Sequence, residues 1–243
     1  MKRGTLALAT IAVAMAGTAQ ARPPRGMPGG AYANPSAIVA AEIAFNRRAQ
    51  EKGQWTAFRE YAAEDAVMFT PEPVNARTWL KGRADPASPV KWQAGEIWMS
   101  CDGTLALSKG AWQQPDGSVG YFTTIWRRNK KDEYEWILDQ GDTLTSPAQV
   151  PEMIAGTVAD CGLPRQVPSA GAVLGASPKQ RFQPAAPGAM APGMTGGGAS
   201  LDGTMTFSYS VDADFGRTVT VSLLRNGTMQ QVVESRVAPA PAK

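Results

Sequence analysis

Residues 91–140 read KWQAGEIWMSCDGTLALSKGAWQQPDGSVGYFTTIWRRNKKDEYEWILDQ, and this stretch decides the fold. Apolar and polar residues alternate along it, which is the period of strands that bury one face. The alternation stops at Asp102-Gly103, at Asp116-Gly117 and at 129–132. Asp-Gly between two alternating segments is a strong hairpin signal. The stretch therefore predicts an antiparallel meander of four strands, over residues 91–101, 104–113, 118–128 and 133–140.

Helical patterns precede the meander. Asn34 can cap a helix whose first position is Pro35, and Gly53 follows the end of that helix. A second, shorter helix follows, then a strand over 66–70 and a helical turn over 75–81. Helices followed by an antiparallel sheet predict an α+β fold.

The first helix has an apolar face at helical spacing. Ile38, Ala41, Phe45 and Ala49 are predicted to be buried against the sheet, and Glu42 is placed largely outside that face.

Three further segments follow the meander. Residues 146–159 are predicted to form a helix, although Pro151 interrupts them. Residues 163–203 are rich in Pro and Gly and predict a disordered linker, because they hold too little apolar surface to offset the entropy of ordering. Residues 204–238 predict a small antiparallel β unit, followed by a tail over 239–243. Its three predicted strands are 205–211, 218–224 and 229–237.

The N-terminus has the pattern of a secretory signal peptide over residues 1–21. Lys2 and Arg3 precede a short apolar run, and Ala19-Gln20-Ala21 is a cleavage pattern. The run is shorter than the ~20 residues that a membrane span needs. Residues 22–35 are predicted to form an N-terminal linker. The sequence therefore predicts a secreted or periplasmic protein without a membrane span.

Cys101 and Cys161 are the two cysteines of the chain. In an exported protein an even number of cysteines favours a disulfide, and the alternative is two separate buried thiols. A bridge between them would close a loop of about 60 residues, worth roughly 4 kcal/mol by loop entropy.

The absence of histidine excludes several kinds of chemistry. It rules out Ser-His-Asp and Cys-His nucleophilic catalysis and His-ligated zinc. Two thiols alone do not make a metal site, so neither a metal nor a cofactor is predicted. The formal net charge is +3, and Lys2 and Arg3 of the predicted signal account for most of it. No nucleic-acid partner is predicted, because no basic stripe remains.

Three segments carry a resemblance to a known family: AEIAFNRRAQEKGQWTAFREYAAEDAVMFTP (41–71), NARTWLKGR (75–83) and GYFTTIWRRNKKDEYEWILDQGD (120–142). Over roughly residues 36–142 the chain resembles the nuclear transport factor 2-like (NTF2-like) superfamily, and within it the SnoaL-like exported domains. The resemblance implies a cone of helices packed on a curved antiparallel sheet, over residues 36–162. It also implies a mostly apolar cavity at the open end and frequent homodimerisation through the sheet.

The catalytic groups of this superfamily are not carried over. Its ketosteroid isomerases place a carboxylate just before a proline at the end of the first strand, and here Thr70 precedes Pro71. A neutral hydroxyl does not act as that base at pH 7. The remaining candidate acids and bases are Glu96, Asp139 and Asp142, for which the alternative is a solvent-facing or turn position.

Aromatic residues are concentrated on the predicted second helix and the meander. One interpretation is a ligand pocket with aromatic walls, and the alternative is that the same rings fill the core. Trp92 and Trp98 are predicted to share one face of a strand. The candidate ligand-binding residues are Trp55, Phe58, Tyr61, Trp92, Trp98, Trp112, Tyr121 and Trp126.

The sequence leads to one favoured function and two alternatives. The favoured hypothesis is an exported NTF2-like domain that binds a small apolar or aromatic ligand without transforming it. The first alternative is a SnoaL-like cyclase or dehydratase that uses a single pocket carboxylate. The second is a dimeric interaction or scaffold protein, in which the C-terminal β unit binds a partner.

Overall fold

The computed structural model describes residues 32–149, 151–162 and 193–239. The predicted signal peptide, most of each predicted linker (22–35 and 163–203) and most of the predicted tail lie outside these ranges. The helices are α1 (Pro35–Lys52), α2 (Gln54–Tyr61) and α3 (Ala76–Leu80). The strands are β1 (Ala62–Phe69), β2 (Pro73–Asn75), β3 (Lys91–Met99), β4 (Leu105–Gln113), β5 (Val119–Arg128), β6 (Tyr134–Leu144), β7 (Ala155–Val158), β8 (Thr195–Ala199), β9 (Met205–Val211), β10 (Arg217–Arg225) and β11 (Thr228–Val237). Within these ranges, no helix combines the length and the apolar character needed to cross a bilayer.

Helix α1 begins and ends where the sequence predicts, although the side chain of Asn34 makes no capping hydrogen bond. Pro35 lies in its first turn, and the backbone N–H of Gly53 donates to the Ala49 carbonyl at its end. Gly53 has φ of 107°, and a Cβ atom there would overlap the carboxyl group of Asp85. That carboxyl group accepts hydrogen bonds from the Thr56 N–H and hydroxyl at 2.9 and 2.7 Å. Glycine at residue 53 therefore lets the chain turn sharply from α1 into α2.

A seven-stranded mixed sheet, called here the first sheet, has the strand order β2-β1-β6-β5-β4-β3-β7. Strands β3 to β6 form the predicted antiparallel meander, while β1 runs parallel to β6. The helix predicted over 146–159 is wrong, since Ala155–Val158 form strand β7, parallel to β3. Pro151 removes one helical hydrogen bond, and the edge of β3 offers unpaired backbone groups instead.

A bulge in β3 overturns the prediction that Trp92 and Trp98 share a face. Trp92 pairs with Trp112 of β4, whereas Trp98 pairs with Leu107, and the register shifts between Ala94 and Glu96. Trp112 and Leu107 are an odd number of residues apart on a regular strand, so they point to opposite faces. Trp92 and Trp98 therefore lie on opposite sides of the sheet.

A separate four-stranded sheet, the second sheet, has the order β11-β10-β9-β8. Three strands were predicted here, and the additional strand is β8, which lies within the stretch assigned to the linker. Its sequence TGGGA has low strand propensity. A Cβ atom at Gly197 would overlap the Phe207 carbonyl, and one at Gly196 would overlap the Tyr209 ring. The glycines thus allow a close approach that a propensity pattern does not detect.

The first sheet is covered on both sides. Its helix face, which includes Ser108 and Trp126, packs against α1. Its outer face, which includes Thr123 and Gln140, packs against the second sheet. Both of these residues contact Ser235 of β11: the Thr123 and Ser235 hydroxyl oxygens are 3.1 Å apart, and Gln140 Nε2 donates to Ser235 Oγ at 2.9 Å.

The two cysteines are joined in the structure. Cys101 follows β3, Cys161 follows β7, and their Cα atoms are 5.5 Å apart across the disulfide. The bridge ties the edge strand β7 to the strand with which it pairs.

Candidate functional site

A buried carboxylate lies between α1 and the first sheet. Glu42 is 4% exposed and shares the buried face of α1 with Ile38 and Phe45. Trp92 Nε1 donates to Glu42 Oε2 at 2.9 Å, and Trp126 Nε1 lies 3.2 Å from Oε1. The Ser108 hydroxyl also donates to Oε1. The sequence pattern does not indicate a buried Glu42, because a charged residue is expected on the solvent side of an amphipathic helix.

Burial raises the pKa of Glu42, and the hydrogen bonds from Ser108, Trp92 and Trp126 oppose that effect without cancelling it. Removing a carboxylate from water costs free energy, and donated hydrogen bonds recover part of it. A carboxyl group in this setting accepts hydrogen bonds when ionised and can donate one when protonated. Glu42 can therefore anchor a ligand or exchange a proton with one.

A cavity of about 330 Å³ opens between α1 and β3, and Glu42 forms part of its wall. The volume lies at the lower end of the range for small-molecule pockets. Ile43 and Ile154 at the rim are 53% and 36% exposed. The apolar lining residues are Val39, Ile43, Trp92, Ala94 and Ile154, and the polar ones are Glu42, Asn46, Arg47, Gln50 and Gln93. A small apolar molecule with one polar group matches this lining.

Two amide side chains hold the walls of the cavity together. Asn46 Nδ2 donates to the Trp92 carbonyl at 2.7 Å, and Gln50 Nε2 donates to the Val90 carbonyl at 2.8 Å. Both bonds join α1 to β3 or to the residue before it. The cavity is therefore held open by the fold and does not require a ligand to form it.

Most of the aromatic residues singled out in the sequence lie on the helix face. The Phe45 ring centroid is 4.9 Å from that of Phe58, 5.0 Å from that of Tyr61 and 4.7 Å from that of Trp92. These rings pack mainly on one another between the helices and the sheet. Those brought together in this cluster are Trp55, Phe58, Tyr61, Trp92 and Trp126. Of the five, Trp92 also lines the cavity.

The other three aromatic candidates lie elsewhere. Trp112 is on the helix face and donates from Nε1 to the Tyr121 carbonyl at 2.9 Å. Trp98 and Tyr121 are on the outer face, where the Tyr121 hydroxyl donates to the Arg236 carbonyl of the second sheet. The aromatic candidates thus divide between the two sides of the sheet.

The three candidate acids do not come together. Glu96 lies on the outer face, beside a cavity of about 240 Å³ that Lys109 and Tyr121 also line. Asp142 pairs with Tyr121 on the same face and accepts from the Thr143 N–H at 2.8 Å.

Asp139 lies on the helix face and accepts from the Thr124 hydroxyl at 2.7 Å. Burial raises the pKa of Asp139 to about 7; the Thr124 hydrogen bond lowers it, the Glu42 charge raises it and Arg217 lowers it. Asp139 lines neither of the two cavities described above, so a ligand bound in either cavity would not contact its carboxyl group.

Comparisons with known proteins give a likeness to solved structures only. No protein-family profile and no curated protein matches the chain. A solved structure from Parabacteroides distasonis ATCC 8503, provisionally named a ketosteroid isomerase, is similar at 16% identity and a TM-score of 0.38. The match covers 47% of this chain and 96% of the other. Among the residues that the structure describes, no cluster of three or more Cys, Asp and Glu is placed to hold a metal ion.

Proposed function

We propose that this chain is an exported, NTF2-like binding protein that holds a small apolar or aromatic ligand without transforming it. The observation that carries the proposal is the cavity of about 330 Å³ between α1 and β3, with the buried Glu42 in its wall. Mostly apolar pockets with a few fixed polar groups are the usual form of small-molecule sites.

The cavity lining suggests the chemistry of the ligand. An apolar body would pack on Ile43, Trp92 and Ile154. In the part of the chain that the structure describes, Glu42 Oε2 receives one hydrogen bond, from Trp92. A carboxylate oxygen can accept two, so a position remains for a ligand hydroxyl. The favoured ligand is therefore an alcohol or phenol with a compact apolar body.

A catalytic alternative rests on the raised pKa of Glu42. A carboxyl group with a raised pKa can serve as a general acid or base. On this alternative the chain would be a cyclase or dehydratase that uses Glu42 alone. Glu42→Gln would then abolish turnover while leaving the fold intact, and full turnover in that variant would exclude this role.

The disulfide supports the proposal that the chain works outside the cytoplasm. The bond between Cys101 and Cys161 is of the kind that persists in oxidising compartments.

A fluorescence titration with 2-naphthol tests the binding site. Ile43→Glu places a charge at the rim, where the side chain is already 53% exposed, so the fold should not change. We expect this variant to raise the Kd for 2-naphthol by roughly tenfold, because an apolar ligand would have to desolvate the new carboxylate. Met229→Glu is the matched control, since Met229 is 41% exposed on the second sheet, away from the cavity. Equal affinities in both variants would rule out the cavity as the site.

A second probe tests the role of Glu42. 2-Methoxynaphthalene is similar in size to 2-naphthol but has no hydroxyl donor. We expect it to bind about fivefold more weakly, which corresponds to about one hydrogen bond of ~1 kcal/mol. Glu42→Gln should change the ratio of the Kd values for the two probes. Met229→Glu should leave that ratio the same.

A further inference from the structure

The same five-residue turn occurs twice in the chain. Residues 100–104 and 200–204 both read Ser-x-Asp-Gly-Thr, and they join β3 to β4 and β8 to β9 respectively. In each turn the Gly N–H donates to the Ser carbonyl at 3.0 Å. In each, the Thr N–H donates to Asp Oδ1, at 2.9 Å in the first turn and 3.0 Å in the second. The two turns are the same structure built twice.

The strands that follow the turns also repeat. In the first sheet Leu105 of β4 pairs with Arg127 of β5, and in the second sheet Met205 of β9 pairs with Leu223 of β10. The order β6-β5-β4-β3 in the first sheet corresponds to β11-β10-β9-β8 in the second. Strands β8–β11 therefore follow the same plan as β3–β6.

An irregularity of the sheet is repeated too. The register between β5 and β6 shifts between Ile125 and Trp126, and that between β10 and β11 shifts between Val221 and Ser222. Counted back along the strands from the two pairs given above, Ile125 of β5 corresponds to Val221 of β10, and Trp126 corresponds to Ser222. A bulge at the same place in both sheets is a detail that a generic meander would not share.

The two turns contact each other reciprocally. The Cys101 N–H donates to Thr204 Oγ1 at 2.8 Å, and the Leu201 N–H donates to Thr104 Oγ1 at 3.0 Å. Cys101 and Leu201 hold the same place in their turns, and so do the two threonines. Such exchanged contacts are characteristic of a two-fold interface between identical subunits.

Two further contacts lie where a two-fold axis would pass. The Asp102 N–H donates to Asp202 Oδ2 at 2.9 Å, and the Asp202 N–H donates to Asp102 Oδ2 at 2.8 Å. Gln140 of β6 corresponds to Ser235 of β11, and these two side chains contact each other at 2.9 Å. Equivalent residues meet each other only at the axis of a two-fold arrangement.

A last reciprocal pair lies further along the sheets. The Tyr121 hydroxyl donates to the Arg236 carbonyl, and Arg217 Nη2 donates to the Gly141 carbonyl at 3.0 Å. Tyr121 corresponds to Arg217, and Gly141 corresponds to Arg236. The relation therefore extends from the turns to the opposite ends of β5 and β6.

We propose that the outer face of the first sheet, together with the turn at 100–104, is a self-complementary docking surface whose partner is a second copy of the same strand unit. In this chain β8–β11 supply that copy and occupy the surface intramolecularly. When the second sheet is released, the surface pairs with the β3–β6 unit of another chain. The complete chain is therefore monomeric at this surface, although the resemblance implies homodimers formed through the sheet.

Sedimentation velocity on the complete chain tests the proposal. The wild type is expected to be monomeric. The double variant Arg217→Glu with Val221→Asp, at two positions buried between the sheets, should release the second sheet and give a dimer whose fraction rises with concentration. Adding Thr104→Val to this variant should weaken the dimer at least tenfold, since it removes the acceptor of the reciprocal hydrogen bond. Thr220→Asp, on the other face of the second sheet, is the control and should stay monomeric.

Three results would overturn the proposal. The first is a released variant that stays monomeric while its near-UV circular dichroism shows the first sheet intact. The second is an association that Thr104→Val leaves unchanged, since self-association would then not use the turn. The third is a wild-type dimer that Thr104→Val dissociates.

A second measurement keeps the proposal open to refutation if the released variant does not fold. Thr104→Val and Thr204→Val each remove one of the two equivalent hydrogen bonds between the turns, together with the hydroxyl's own bond to the aspartate of its turn, from the otherwise native chain. The two variants should lower the urea midpoint by equal amounts. A shift in one variant without a shift in the other would contradict the two-fold relation.

Discussion

The two sheets share strand order, register and a bulge, yet their remaining faces are very different. On the helix face of the first sheet, Trp126 and Ser108 are both 0% exposed. At the corresponding positions of the second sheet, Ser222 is partly exposed and Ser208 is exposed. Helices α1 and α2 lie beside the first sheet, and within the described residues no helix covers the second. One backbone plan can therefore support either a core or a solvated surface, depending on what packs against it.

The difference also shows where function resides. The face covered by helices contains Glu42, the aromatic cluster and the cavity, whereas the open face carries hydroxyl residues such as Ser208 and Thr220, which contact each other at 2.7 Å. Ligand sites are concave, and the gap between α1 and β3 forms such a cavity. The first sheet alone has that geometry within the described residues. Three pairs of corresponding positions test this comparison: Trp126 with Ser222, Asp139 with Glu234, and Ser108 with Ser208.

The largest expected effect is on stability. Trp126→Ala should lower the free energy of unfolding by about 3–5 kcal/mol, because it leaves a large cavity in the core. Ser222→Ala, at the corresponding position, should change it by less than about 0.5 kcal/mol. Urea unfolding of the two variants measures the difference. Similar losses in both would mean that the second sheet contributes its open face to a core after all.

The next effect is a pH dependence. Burial raises the pKa of Asp139 from 3.8 to about 7, so between these values the folded state binds more protons than the unfolded state. Wild-type stability should therefore fall as pH rises from about 4 to 7. Asp139→Asn should remove the Asp139 part of this fall, leaving the part due to the raised pKa of Glu42, and should be more stable than the wild type at pH 8 by roughly 4 kcal/mol.

The matched control for this pH effect is Glu234→Gln. Glu234 corresponds to Asp139 but lies on the open face, where it pairs with Arg236 at 2.7 Å. Exposed ion pairs contribute little, so the profile of this variant should follow that of the wild type. Unfolding midpoints between pH 4 and pH 8 provide the measurement, and a wild-type stability that rises over this range would contradict the sign.

The smallest expected effect compares two serines. Ser108→Ala removes a donor to Glu42 and an acceptor that lies 2.9 Å from Trp126 Nε1, at a fully buried position. It should cost about 1–2 kcal/mol and raise the pKa of Glu42 further. Ser208→Ala, at the corresponding exposed position, should cost less than about 0.5 kcal/mol. Equal costs would show that the Ser108 hydroxyl is not part of a buried network.

Much of the fold could be predicted from local signals. The strands of the meander and those of β9–β11 follow from alternation and Asp-Gly or Asn-Gly turns, and α1 follows from Pro35 and Gly53. Strand β8 could not be predicted in this way, because its glycines serve the close approach of Phe207. The strand β7 was missed because it is defined by the edge of β3 and not by its own sequence.

The candidate site was harder to predict than the fold. The bulge between Ala94 and Glu96 moves Trp98 to the outer face, and the isolated glycine at residue 95 is the sequence signal that could have marked it. Glu42 was placed among solvent-facing residues, although its donors Trp92 and Trp126 were among the candidates. The repeated Ser-x-Asp-Gly-Thr, by contrast, was visible in the sequence at a spacing of one hundred residues and would have indicated an internal repeat.

The most direct test of the ligand site is the indole N–H region of a ¹H–¹⁵N correlation spectrum during titration with 2-naphthol. Trp92 Nε1–H donates to Glu42 and Trp92 lines the cavity, whereas Trp98 lies on the opposite face of the sheet. We expect the Trp92 indole signal to shift in a saturable way while that of Trp98 stays in place. A Trp92 signal that does not move, with saturable shifts at Trp98, would contradict it and place the ligand on the outer face.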